Sequence, residues 1–355
     1  MQPRSITLFA LSVGAPVAAV TIGLTGGTAT ASADASTTTE HGISISINGR
    51  TVGAGNASAV TDRGSHSIAV AVNGSTAVTS GTRNVAIAIN GSTATAVGTR
   101  SSAVAINKST ATTGGGDRNR ARAVNQGDAL ANNGNRNTAI IRDSCPSGVV
   151  CARSTATATN GDGNVARVRG TGSKAYAGDG NGNTVRINGD NDGSAVGIYA
   201  YLGDDNTITV TGNDNGTTGG PIYIGNGDGN NATIQGDGNN LVSAWGGNDN
   251  AVVINGNDNS WVWAQGGNQT SVINGNDNTG IYAYSGTNNS IFVNGDDNYY
   301  IMAAHGANNT AVVNGSGNQY VYANSGNNNT AIVNGDGFVD VRAEGGNQYV
   351  VVPSA

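Results

Sequence analysis

Between Gly246 and Gly345 the pair Asn-Gly returns at Asn255, Asn274, Asn294, Asn314 and Asn334, at intervals of 19, 20, 20 and 20 residues. Each interval is split by a Gly-x-x-Asn step, as at Gly306–Asn309 and Gly315–Asn318, followed by a short apolar run. A fixed period near 20 with two strand-like runs per period is the pattern of a solenoid. A tighter block precedes it. Ala69-Val70-Ala71-Val72, Ala86-Ile87-Ala88-Ile89 and Ala103-Val104-Ala105-Ile106 stand 17 apart, alternating with Ser75-Thr76-Ala77, Ser92-Thr93-Ala94 and Ser109-Thr110-Ala111. The predicted fold is all-β, a parallel β-solenoid (β-roll or β-helix) of 17–20-residue two-strand coils. Fifteen or so coils at about 4.8 Å each would give roughly 70 Å.

Side chains alternate across a strand, so each column of the repeat faces in or out. In the second strand of each late coil, Val262/Ala264, Ile281/Ala283, Ile301/Ala303, Val321/Ala323 and Val341/Ala343 form one column pair. The alternate columns hold Trp261/Trp263, Tyr282/Tyr284, Tyr300/Met302 and Tyr320/Tyr322, and then Asp340/Arg342. Asp and Arg do not enter a thin core unpaired, so the aromatic columns face out. In the first strand, Val253, Val272, Phe292, Val312 and Ile332 are read as inward. Ile254, Ile273, Val293, Val313 and Val333 are read as outward, an apolar stripe. The Asn of each Asn-Gly pair falls at one corner, where stacked amides can bond from coil to coil, and the Gly supplies the positive φ of the turn.

Composition and charge divide the chain. Charged residues are only 11%, against charge-driven disorder. Residues 1–33 read as a secretory signal: Arg4, a broadly apolar Ile6–Leu24, and Ala31-Ser32-Ala33 before Asp34. A single membrane anchor is the alternative, and Thr7, Ser12, Gly14, Pro16 and Thr21 interrupt its apolar run. Residues 34–64 read as a linker running into irregular first coils. Residues 65–186 form a basic Ala/Ser/Thr-rich block and 187–355 an acidic Gly/Asn-rich block. From Asp34 to Arg186 there are 15 Lys+Arg against 8 Asp+Glu, a net +7; from Ile187 to Ala355 there are 1 and 15, a net −14. Such a dipole favours head-to-tail contact or an acidic partner for the basic half; solvated turns of different composition would give the same counts.

Few residues suggest chemistry. Cys145 and Cys151 would close a small disulfide loop in an exported chain. His41, His66 and His305 stand far apart, Glu occurs only at 40 and 344, and the pairs Asp204-Asp205 and Asp296-Asp297 lie in turns. No acid–base or nucleophile constellation emerges, so an enzyme is not expected. Arg118, Arg120 and Arg122 alternate and would line one strand face, but without interleaved aromatics nucleic acid is not the expected partner. Asp258, Asp277 and Asp297 share one turn column about 5 Å apart, and would repel unless hydrated or bridged by a cation. Calcium is the ion those oxygens would take; no other cofactor is implied.

Asn84-Val85-Ala86-Ile87-Ala88-Ile89-Asn90-Gly91-Ser92-Thr93-Ala94-Thr95-Ala96-Val97-Gly98 resembles the head repeats of YadA-like trimeric adhesins. The resemblance covers about residues 65–113 and implies a left-handed β-roll with a cell-surface adhesive role. Asn226-Gly227-Asp228-Gly229-Asn230-Asn231-Ala232 resembles the calcium-binding nonapeptide of RTX proteins, with Asn231 where the family places a ligand Asp. The short Gly-x-x-Asn arms of 188–352 also look like curlin repeats.

The expectation is therefore a secreted or cell-envelope, non-enzymatic structural or adhesive repeat protein. Its contact ladder would be Trp245, Trp261, Trp263, Tyr282, Tyr284, Tyr300, Tyr320 and Tyr322, engaged in self-association or on a cell-surface glycan. Rings stacked only on one another to stabilise the sheet are the structural alternative. An ice-binding face through Thr76, Thr93 and Thr110 is a more distant one.

Overall fold

The structure is a computed structural model. It describes residues 42–142, 153–169, 174–186, 188 and 197–211, then from residue 223 the strands and many corner residues of each coil; before residue 42 it describes only three short strands. Those three (Ile6–Thr7, Thr21–Thr25 and Thr28–Ala31) pair antiparallel as a small sheet of their own.

The rest is a parallel β-solenoid in which two sheets face each other. The first sheet runs from Ile68–Val72 through Val85–Ile89 and Ser102–Ile106 to Thr330–Val333 and Tyr349–Val352, each strand parallel to the next. The second sheet runs from Ser58–Thr61 through Thr76–Thr82 and Thr93–Thr99 to Trp263–Gln265. Beyond it, single bonds such as Tyr282 N–H to the Ile301 carbonyl and Met302 N–H to the Val321 carbonyl continue the ladder. The first sheet crosses from the basic to the acidic block without a break, Thr184–Arg186 pairing in register with Thr207–Val210. At the other end the predicted linker is a hairpin, Ile43–Ile47 with Arg50–Ala54. Ile43–Ile47 also pairs antiparallel with Ile68–Val72, giving the first coil a partner on its outer side.

The core of the basic block is built from alanine. Ala69/Ala71, Ala86/Ala88 and Ala103/Ala105 of the first sheet are fully buried, as are Ala94/Ala96 and Ala156/Ala158 of the second. Val85, Ile87 and Ile89 point outward and are only half-buried. Small side chains let the two sheets approach closely, and a coil of 17 residues has no room for larger ones. In the acidic block Ile198, Ile208, Val252, Ile291, Ile301 and Val321 fill the same position.

This order corrects the sequence reading of the first strand. Val252, Ile291, Ala311, Val313 and Ala331 are buried, whereas Phe292 is 39% exposed and Val253, Val312 and Ile332 are half-buried. Where side chains are described the two readings are exchanged: Val313, expected outside, is buried, and Val253, Val272, Phe292, Val312 and Ile332, expected inside, are not. The second-strand reading agrees with the structure where it is described: Ala283, Ile301, Ala303, Val321, Ala323 and Ala343 are inside.

What sets the phase of the first strand is the polar residue just before it. Asn84, Ser101, Asn119, Asn137, Asn164, Asn183 and Asn206 form one buried column at the corner entering the first sheet. Asn164 shows the geometry. Its Oδ1 accepts the N–H of Asn183 in the next coil at 2.9 Å. Its Nδ2 donates to the Thr159 carbonyl at 2.9 Å and to the Gly180 carbonyl of the next coil at 2.8 Å. Asn137 and Asn183 repeat this set with their own partners. A buried amide with its acceptor and both donors used is stabilising; one left unpaired is costly.

The turn glycine is part of the same clamp. A Cβ on Gly161 would overlap the carbonyl oxygen of Gly180, and the φ of Gly161 is +147°. Gly-x-x-Asn is thus a two-part lock: glycine admits the next coil's backbone, and asparagine bonds to it.

Candidate functional site

The outward columns are the candidate site. Register on the second sheet places Tyr176, Tyr199, Tyr223, Ser243 and Trp263 in one column. Gly178, Tyr201, Gly225, Trp245 and Gln265 form the column beside it. Trp245 and Trp263 therefore occupy adjacent columns. Their side chains, and residues Trp261, Tyr284 and Tyr300, lie outside the described residues.

Where rings are described, they touch. Tyr176 and Tyr199 have centroids 5.9 Å apart at 50°, and Tyr199 meets Tyr201 edge-on at 6.1 Å. Far along the solenoid, Tyr320 and Tyr322 lie parallel at 6.3 Å, Tyr299 meets Tyr320 edge-on at 5.5 Å, and Arg342 sits 5.8 Å from the Tyr322 centroid. Tyr282, Tyr320 and Tyr322 are half-buried and Tyr299 is 45% exposed. These separations are those of favourable aromatic pairs.

Tyr176 was missed as a rung, although Lys174-Ala175-Tyr176-Ala177 has the same alternation as the later coils. Its ring lies against Gly178, where an added Cβ would come within 3.0 Å of the hydroxyl. The hydroxyl donates to Asp179 Oδ2 at 3.1 Å. Burial, and then the negative charge of Asp179, push the Tyr176 pKa up to about 12.

The other expected sites are distributed as follows. The exposed asparagine ladder forms as expected: Asn274 donates to Asn255 at 2.6 Å, Asn294 to Asn274 at 2.6 Å, Asn314 to Asn294 at 2.8 Å and Asn334 to Asn314 at 2.7 Å. In the basic block Asn73, Asn90, Asn107 and Asn125 make the same chain at 2.8–2.9 Å. Asp277 and Asp297 are exposed turn residues with φ of +54° and +56°; Asp258 lies outside the described residues. Among the described residues no three His, Cys, Asp or Glu side chains come together as a metal site. Cys145 and Cys151, and also His41 and His305, lie outside the described residues.

Arg120 and Arg122 point outward from the first sheet. Arg118 is exposed like Arg120, with the buried Asn119 between them, but it lies before the strand, at the corner with φ +57°. Thr76, Thr93 and Thr110 align in one column of the second sheet as the repeat implied.

Among the described residues no helix is long and apolar enough to cross a membrane. No protein-family model, curated protein or solved structure matches the chain.

Proposed function

We propose that the protein is a secreted or cell-envelope structural and adhesive element that works without catalysis, through the repeated columns on its surface. One observation carries this reading: aromatic residues recur in register on the outer face of the second sheet at Tyr176, Tyr199, Tyr223 and Trp263, and ring pairs return farther along the chain at Tyr320 and Tyr322. Half-buried rings held by their neighbours form a preordered apolar strip, and ordering it further on contact costs little entropy. Such a strip suits a second copy of the chain, which presents the same strip.

A glycan is the second reading, favoured by the polar group at the edge of the ladder, where Tyr176 bonds to the Asp179 carboxylate. Flat rings cover the apolar face of a sugar while a carboxylate accepts from its hydroxyls. Calcium would enter through the turn carboxylates Asp277 and Asp297, bridging successive coils.

Sedimentation velocity over a wide concentration range, with calcium and with chelator, separates these. Growth with concentration that is lost in a Tyr199→Ser/Tyr201→Ser/Tyr322→Ser variant supports self-association through the ladder. Monomers under all conditions, with the Trp261 and Trp263 fluorescence quenched by neutral sugar polymers, transfer the ladder to glycan binding. Monomers that ignore sugars as well would leave the rings a purely structural role and refute the reading.

A further inference from the structure

The corner entering the first sheet requires a left-handed backbone one residue before each buried Asn or Ser. In later coils that position is filled by residues that tolerate it: Gly163 and Gly182, then Asp205, and further on Asn288, Asn308 and Asn328. In four successive earlier coils it is filled by arginine: Arg83, Arg100, Arg118 and Arg136, with φ between +56° and +59°. His66 heads the same column at +55°. A bulky side chain with positive φ is strained, and like charges one coil apart, about 4.8 Å, repel. The neighbouring coils show that glycine or asparagine serves the fold at this position. The arginines are therefore retained against the fold's own preference, and observed strain of this kind points toward a function.

The column does not stand alone. It runs around the corner onto the outer face of the first sheet, where Arg120, Arg142, Arg167, Arg169 and Arg186 are exposed. Register there gives Ile87, Val104, Arg122, Ile140, Arg167 and Arg186 as one continuous column. Among the described residues none of these guanidinium groups is paired with a carboxylate; the ion pair of this block, Arg153 with Asp128, involves neither column. The Nε of Arg122 is shielded from solvent and has no hydrogen-bond partner.

We propose that this strip binds a linear acidic polysaccharide lying along the solenoid axis. Each coil offers a guanidinium fork matched to a carboxylate or sulfate, and the coil spacing is comparable with the length of one pyranose unit. Val104 and Ile140, half-buried between the cations, provide apolar contact for the C–H face of the sugar ring. Nucleic acid is the weaker match, because no aromatic side chain interleaves with the strip for base stacking. The acidic block of a second copy is weaker also: its turn column of Asp258, Asp277 and Asp297 gives way to Gly317 in the next coil. This site is separate from the aromatic face, and its test does not depend on that face.

The test uses the full chain and a variant with Arg83→Asn, Arg100→Asn, Arg118→Asn and Arg136→Asn. Asparagine relieves the backbone strain, so an unchanged or raised melting temperature verifies that the variant is folded. The probes are alginate oligomers, single-stranded oligothymidylate of equal charge, and neutral dextran. The expected result is alginate binding that falls by ~10-fold or more in the variant at low salt, with a shallower salt dependence, and no dextran binding. Alginate affinity equal in both proteins, or absent in the wild type, would overturn the proposal. Tighter binding of oligothymidylate than of alginate would give the strip to nucleic acid instead. Self-association at low salt that the variant loses, without alginate binding, would give it to a second copy of the chain.

Discussion

The basic and acidic blocks build the same coil from different materials. From Ile68 to Arg186 the buried apolar positions are nearly all alanine, and larger side chains such as Ile141 are exceptions that need room. Gly127 stands where Ser75, Ser92 and Ser109 continue their column, and a Cβ there would meet Ile141 Cγ2 at 2.8 Å. From Ile198 onward isoleucine and valine share the buried positions with alanine, and the steps lengthen toward 20 residues. A methyl group buries little surface, about 0.8 kcal/mol per carbon. The alanine half therefore depends more on its hydrogen-bonded corners, and the aliphatic half more on its core. The outer columns differ by sheet as well: arginine recurs on the first sheet of the basic block, and tyrosine and tryptophan recur on the second sheet from Tyr176 onward. What the blocks share is a buried asparagine at the corner. The full clamp ends at Asn206, whose Nδ2 and Oδ1 are buried without partners among the described residues, and Asn309 donates instead to the Asn324 carbonyl and to Asn329 Oδ1.

The hardest test of the clamp is Gly161→Ala. The new methyl would overlap the Gly180 carbonyl at a backbone angle only glycine adopts easily. The expected loss is about 4 kcal/mol, read as a large fall in the denaturation midpoint. Asn164→Ala removes three bonds and leaves one N–H and two carbonyls unsatisfied. It should cost about 3 kcal/mol in the same measurement.

The contrast between cores is sharpened by Ala105→Ile. Ala105 is fully buried beside Ala88, and overpacking should cost about 2 kcal/mol by thermal melting. Leu202→Asn works in the opposite direction. Leu202 is 45% exposed with φ +58°, in the column where Asn133, Asn160 and Asp179 stand, and asparagine should stabilise by about 1 kcal/mol.

The smallest effect is a titration. Tyr176 keeps its proton in the folded chain to a pH of about 12, against an ordinary value of 10.0. Its contribution to stability is fully present below pH 10 and is lost as pH rises toward 12. Ultraviolet titration should show a late-ionising tyrosine that is absent in Tyr176→Phe and shifted down in Asp179→Asn.

The period, the two-strand coil and the second-sheet faces were legible because one column ends in Asp340 and Arg342, which mark the outside. The first-strand faces were not, because Val253 and Ile254 are both apolar and hydrophobicity does not rank them. The residue that decides is the buried Asn before the strand, as at Asn309 and Asn329. The Gly-x-x-Asn spacing was visible in the sequence. That its asparagine points inward was not, since asparagine is usually a surface residue. Arg118 falls outside the strand that was to carry it because its positive φ makes it a corner residue, which alternation alone does not show.

Hydrogen exchange at the corners tests the clamp most directly. The amides of Asn137, Asn164, Asn183 and Asn206 sit in turns, where exchange is ordinarily fast, yet each donates to the asparagine of the preceding coil at 2.9–3.0 Å. They should exchange as slowly as the strand amides of Ala139 and Ala166. Exchange at the rate of the exposed turn amides would mean that the buried asparagines do not hold the coils together.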